Sequence, residues 1–128
     1  VLKYYLQQLG LNEPYTGGIG SYTLLIMIIS YLQVSRPTTN HLNDFIIKDN
    51  LFSLYTATQA GDPKDQNDLG VLLLGFLKLY GVDFNYHRTG ISIRNGGSYF
   101  SKEQREWLDK TQTHLLSAED PGFPDNDV

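Results

Sequence analysis

A glycine-rich turn, Gly17-Gly18-Ile19-Gly20, runs directly into Ser21-Tyr22 and a long apolar stretch. If that stretch is a helix, its first turn presents N–H groups without intrahelical partners and the positive end of a dipole. Small residues ahead of it would let an anion come close. The Ser21 hydroxyl could donate to a phosphate there, and the Tyr22 ring offers a flat face for a base. The spacing is neither that of a P-loop, which needs a Lys after the glycines, nor a G-x-G-x-x-G on a preceding strand. By residue types alone, a tight turn and an ordinary helix cap explain it as simply.

Two further features could join it. Lys3 is the only basic residue in the first 35 positions. A cation beside a glycine-rich helix start would suit a polyphosphate, although a solvated lysine on a helix face is the commoner occurrence. The closing stretch, Glu119 to Val128, offers Asp120 and the Asn126 amide, groups able to read a base or ribose edge by hydrogen bonds. Its four acids, two Pro and one Gly suit a solvated linker equally well.

Other chemistries lack their residues. The chain has no Cys, which excludes disulfides, thiolate zinc sites and Cys nucleophiles and fits an intracellular protein better than a small secreted one. His41, His87 and His114 are scattered, and none stands at ligand spacing with another His. Asp62, Asp65 and Asp68 lie in a turn-rich stretch that reads as solvation and helix capping. No Ser-His-Asp order stands out. No residue set here could run a reaction unaided.

The elements that must position these residues are mostly helical. At 128 residues, with 41% hydrophobic and 19% charged residues, the chain is long enough for one domain with a packed core. A formal charge of −4 gives no support for a surface that coats nucleic acid. The longest apolar run, Leu24 to Ile29, is far short of the roughly 20 residues of a bilayer span, so no membrane partner is expected.

Leu2, Tyr5, Leu6 and Leu9 fall at helical spacing, and Gly10 ends that run. Tyr22 to Val34 reads as a central helix with almost no polar face, stopped by Arg36-Pro37. Residues 36–66 read as a variable insertion, carrying Phe45, Ile46, Ile47, Leu51, Phe52, Leu54 and Tyr55 on a short amphipathic piece. Asn67 or Asp68 can cap a second core helix over Leu69 to Tyr80, with Gly81 at its left-handed C-terminal position. Phe84-Asn85-Tyr86 and Ile91-Ser92-Ile93 alternate about His87 to Gly90 and predict a hairpin. Asn95-Gly96-Gly97 makes a second turn into Ser98 to Phe100. Ser101 and Gln104 form a capping box that predicts a helix from Lys102 to Lys110. The expected class is mainly α (α+β), a single domain over 1–128 with one small antiparallel hairpin.

In its ordered motifs the chain resembles the noncanonical poly(A) polymerases and terminal uridylyltransferases of the DNA polymerase sigma group. These motifs are Thr16 to Tyr22, Leu69 to Gly81, Phe84-Asn85-Tyr86, Thr89-Gly90-Ile91, Gly96 to Tyr99, Glu119-Asp120-Pro121 and Asn126-Asp127-Val128. The resemblance spans nearly everything but the insertion. It implies the helical central domain with the PAP-associated region of a nucleotidyltransferase. The catalytic palm is absent from these residues, and with it the three Asp that bind Mg or Mn. The opening Val1-Leu2-Lys3, read as the inside of a helix, fits a fragment that is inactive alone.

The resemblance further implies that ATP is the substrate, its adenylate being added to an RNA 3′ end in the nucleus. The palm of the same protein and an RNA helicase or RNA-binding protein are the implied partners. Lys3 and Ser21 match the triphosphate contacts, Tyr22 the base-stacking aromatic, and Gly17 and Gly18 the loop before them. Asp120 and Asn126 match the nucleotide recognition motif. Asn126 stands where uridylyltransferases tend to carry His, and Gln7 where they carry a second lysine; both departures favour ATP over UTP. The rival expectation is a noncatalytic protein-interaction module derived from the same family.

Overall fold

The computed structural model describes residues 1–35, 68–108, 111–112 and 114–128. The insertion expected over 36–66, with Asp62 and Asp65, lies outside the described residues.

Helix α1 spans Leu2–Gln8, and Leu2 and Leu6 face the core. It closes in a Schellman motif. Leu11 N–H donates to the Leu6 carbonyl at 2.9 Å and Gly10 N–H to the Gln7 carbonyl at 3.1 Å. Gly10 takes the φ of +68° that this closure needs and that a side chain disfavours. Helix α2 spans Ser21–Ser35 and is the centre of the molecule. Leu24, Ile26, Met27, Ser30 and Tyr31 are buried.

Helix α3 spans Leu69–Lys78, and the Asp68 carboxylate caps it, accepting from Gly70 N–H at 2.7 Å and Val71 N–H at 3.4 Å. It is less of a core helix than its composition predicts. Only Phe76 is buried, while Leu69 and Leu74 are 82% and 69% exposed among the described residues. The burial comes from the next turn of the chain. Leu79–Asp83 forms a π-turn, closed by Phe84 N–H donating to the Leu79 carbonyl at 2.8 Å. This wider turn carries both Leu79 and Tyr80 into the core. Gly81 sits inside it without a positive φ, so it is not the left-handed stop expected there. Tyr80 donates to the Met27 carbonyl at 3.1 Å, and Tyr86 donates to the Tyr80 carbonyl. The rings of Tyr31, Phe76, Tyr80, Phe84 and Tyr86 follow one another at centroid distances of 4.9 to 5.8 Å, tying α2 and α3 to the sheet.

The sheet has three strands, β1 (Thr89–Ser92), β2 (Ser98–Ser101) and β3 (Ser117–Ala118), in the order β2-β1-β3. β1 and β2 are antiparallel, with Gly90 opposite Phe100 and Ile91 opposite Tyr99; β3 runs parallel to β1. The hairpin therefore lies one segment later than expected. Its turn is Arg94–Gly96, where Asn95 adopts φ 54° and ψ 33°, and Phe84-Asn85-Tyr86 forms no strand. The helix predicted over Lys102 to Lys110 does not form in its described part, residues 102–108. Gln104 N–H does reach Ser101 Oγ at 3.4 Å, but Trp107 N–H returns to the Lys102 carbonyl at 2.9 Å. Glu106 takes a φ of 60°, and the first turn ends there. Residues 109–110 lie outside the described residues. Over the described residues the result is an α+β fold of three α-helices and a small mixed sheet.

Candidate functional site

The loop before α2 is closed by its own backbone. Thr16 and Gly18 N–H groups donate to the Glu13 carbonyl, Gly17 N–H to Pro14, and Ile19 N–H to Leu11 at 2.8 Å. Gly18 packs so tightly on the Leu11 carbonyl that no side chain would fit there, and Gly17 turns the chain at φ 85°. The two glycines thus shape the loop while their own N–H groups are engaged within it. The first helical bond of α2 runs from Leu24 N–H to the Gly20 carbonyl at 2.9 Å. The amides of Ser21, Tyr22 and Thr23 lie ahead of it, where an α-helix has no internal acceptor for them.

Ser21 and Tyr22 are exposed, Tyr22 at 49%. The Tyr22 hydroxyl donates to Asp120 Oδ1 at 3.2 Å, across 98 positions of sequence. The surrounding protein and then the hydrogen bond to Asp120 hold the Tyr22 phenol above its usual pKa, so it remains a donor. The same Asp120 oxygen accepts from Gly122 N–H at 2.9 Å. That amide, joined by Tyr22, Asn126 and the Phe123 N–H, holds the Asp120 carboxyl below its usual range against the opposing effect of burial. Asp120 and Asn126 are also joined through the backbone, Asp120 N–H donating to the Asn126 carbonyl at 3.0 Å. Tyr22, Asp120 and Asn126 form one cluster, although residues far apart in the chain supply it.

The closing segment is folded, not a solvated linker. Glu119 N–H donates to Ile91 on β1 at 2.9 Å, Val128 N–H to Ala118 at 3.0 Å, and Ala118 N–H to Asp127 Oδ1 at 2.7 Å. Glu119 and Asp127 pair as an isolated bridge, which makes residues 119–127 a closed loop with Asp120 and Asn126 at its neck. Composition alone hid this, because the segment is anchored on β1, a strand distant in sequence, and by side-chain bonds with no periodic signal.

Lys3 is exposed on α1 and makes no ion pair or side-chain hydrogen bond among the described residues. The described contacts do not join it or Ser21 to the Tyr22 cluster. The Leu11 carbonyl ties the end of α1 to Ile19 just before α2. No group of three or more His, Cys, Asp or Glu that could hold a metal occurs among the described residues. Two charged residues are buried without any sign of it in the sequence. Lys102 is buried and its ammonium donates to the Tyr86 and Leu115 carbonyls at 2.6 and 2.5 Å. Glu119 is buried beside Arg94 and Arg105, at 3.6 and 3.1 Å. Both lie among polar residues at the end of the chain's periodic part, where nothing in the local pattern signals burial.

A helical body with a glycine-loop helix start is thus faced by an acidic loop on a small sheet, the two joined by the Tyr22–Asp120 bond. Residues 68–126 match the PAP-associated family described as Cid1 family poly A polymerase. The whole chain is 41% identical to 14% of the length of poly(A) RNA polymerase CID14 of Cryptococcus neoformans. It is 31% identical to 27% of the length of the inactive non-canonical poly(A) RNA polymerase protein Trf4-2 of Drosophila melanogaster. Among solved structures, 99% of the chain superposes with a TM-score of 0.66 and 28% identity on 34% of a chain from the polymerase core of TRAMP, an RNA surveillance complex. The resemblance to the noncanonical poly(A) polymerases is borne out. The chain spans well under a third of the curated relatives named here.

Proposed function

We propose that this chain holds ATP for template-independent addition of adenylate to an RNA 3′ end. Tyr22 stacks on the adenine, and its hydroxyl is held by Asp120 so that the ring presents one face to the base. Asp120 and Asn126, at the neck of the closing loop, read the base edge. Ser21 and the first amides of α2 take the triphosphate, with Lys3 of α1 as the candidate cation. Gly17 and Gly18 contribute by keeping the approach free of side chains. The observation that carries this reading is the Tyr22–Asp120 hydrogen bond, with Asn126 attached, at the mouth of a glycine-led helix.

Phosphoryl chemistry in such a reaction uses Mg or Mn, and the described residues do not fit a divalent cation. A catalytic palm elsewhere in the polypeptide is the source we assign, and the chain alone is then inactive. RNA surveillance in the nucleus, with an RNA helicase or RNA-binding protein as partner, is the setting this reading implies. Amide exchange of the full-length protein tests it: ATP should protect residues 17–24 and 119–127. Absence of protection, with the ATP KM unchanged by Tyr22→Ala, would refute it.

One observation favours a second reading, a noncatalytic interaction module. An inactive polymerase relative is 31% identical over the same residues, so the fold persists without activity. The coding sequence upstream separates the two. A Gly-Ser pair followed by Asp-x-Asp supports the enzyme, and its lack supports the module.

A further inference from the structure

The loop that carries Asp120 and Asn126 is held from behind by a buried charge with an unusual mounting. Gly90 on β1 lies opposite Phe100 on β2, and the Phe100 ring occupies the space where a side chain at Gly90 would stand. The Arg105 guanidinium lies over that ring at 4.0 Å from its centroid, and Trp107 meets the ring edge-on at 5.2 Å and 88°. Held on this aromatic seat, Arg105 reaches Glu119 Oε1 at 3.1 Å, while Arg94 approaches the same oxygen at 3.6 Å from the hairpin turn. Glu119 is only 3% exposed. Burial opposes its ionisation, but the hydrogen bonds from Ser92 and Arg105 and the two cations outweigh it and keep the carboxyl below its usual range.

We infer that Glu119 is a positioning residue for base recognition, acting through Asp120 and Asn126. It stands immediately before Asp120, bridges Asp127 through the backbone, and anchors both ends of the loop to β1 and the Arg105 turn. A buried carboxylate fixed by two arginines sets the loop's position more sharply than backbone pairing alone, because displacing it strands a charge in a dry site. The Arg side chains are partly exposed, so loss of the Glu119 charge leaves them solvated and the core intact. The effect is then on where the recognition groups stand. This inference rests on the nucleotide-holding role proposed for the chain.

The test uses the full-length protein with Glu119→Gln, Arg94→Gln and Tyr22→Ala, measuring KM and kcat for ATP and UTP and amide exchange over residues 120–126. Glu119→Gln should raise the ATP KM about tenfold with kcat within about twofold, narrow the preference for ATP over UTP, and quicken exchange at Gly122 and Asn126. Arg94→Gln should act in the same direction by about threefold, and it carries the test if Glu119→Gln does not fold. A folded variant with unchanged ATP KM, unchanged ATP-to-UTP ratio and unchanged loop exchange overturns the role, as does a fall confined to kcat. If Tyr22→Ala leaves the ATP KM unaltered, the base site itself is wrong. The exchange measurement then decides separately whether Glu119 holds the loop.

Discussion

Tyr22 stands on the first turn of α2, a helix whose next turns bury Leu24, Ile26 and Met27. Asp120 stands on a short loop with almost no apolar anchor, its neighbour Phe123 being 73% exposed. The two walls of the site are held by different physics. The helix is fixed by apolar burial, and its end groups are delivered by geometry. The loop is fixed by polar groups whose partners are all supplied: Glu119 by Arg94, Arg105 and Ser92, Asp127 by the Ala118 amide, and Asp120 by Gly122 and Tyr22. A wall held by polar pairs is costly to disturb one partner at a time. It is also sensitive to pH and to single charges, which the helical wall is not.

The sharpest way to break the polar wall without touching the helix is at the seat of Arg105. Gly90→Val would drive a side chain into the Phe100 ring and should destabilise the protein by about 3 kcal/mol, read as a lowered Tm. Next is Lys102→Met. It keeps the aliphatic volume but leaves the Tyr86 and Leu115 carbonyls without their donor, for an expected loss of about 2 kcal/mol by denaturant titration. On the helical wall, Tyr22→Ala should spare stability, because the ring is half exposed, and raise the ATP KM about tenfold. Tyr22→Phe keeps the stacking face and loses only the bond to Asp120, for an expected rise of about twofold.

The smallest effect is a pH dependence with a definite sign. The Glu119 carboxyl is held below its ordinary range in the folded protein. Its contribution is present above the unfolded carboxylate pKa of about 4 and is lost as pH falls through the lower folded value. Glu119→Gln should therefore flatten the acid limb of a Tm-against-pH curve and leave the region near neutrality with a uniform offset.

The same contrast decides what the sequence reveals. The apolar run beginning at Leu24 and the capping Asp68 are local signals, and the elements they predict form as α2 and α3. The Gly10 stop is local too, and the Schellman closure realises it. The polar wall is legible only in fragments, since each bond joins distant positions. Ser117–Ala118 pairs with β1 over two residues, too few for any alternation to register. The capping box at Ser101 is a true local signal that tertiary contacts override, with Lys102 drawn inward and Arg105 onto Phe100. The aromatic run through Tyr80 and Phe84 reads as helix followed by strand. In the structure the π-turn keeps both rings inside. Tyr22 and Asp120 each stand out by chemistry and resemblance, and no sequence pattern reveals that they touch.

A double-mutant cycle on that contact is the most direct measurement of whether the two walls make one base site. ATP KM values would be compared for full-length protein carrying Tyr22→Ala, Asp120→Ala and both together. If Asp120 both holds the ring that stacks on adenine and reads the base edge, Asp120→Ala should raise KM in the parent and by a clearly smaller factor once Tyr22 is gone. Fully additive effects, or no effect of either change, would contradict the account.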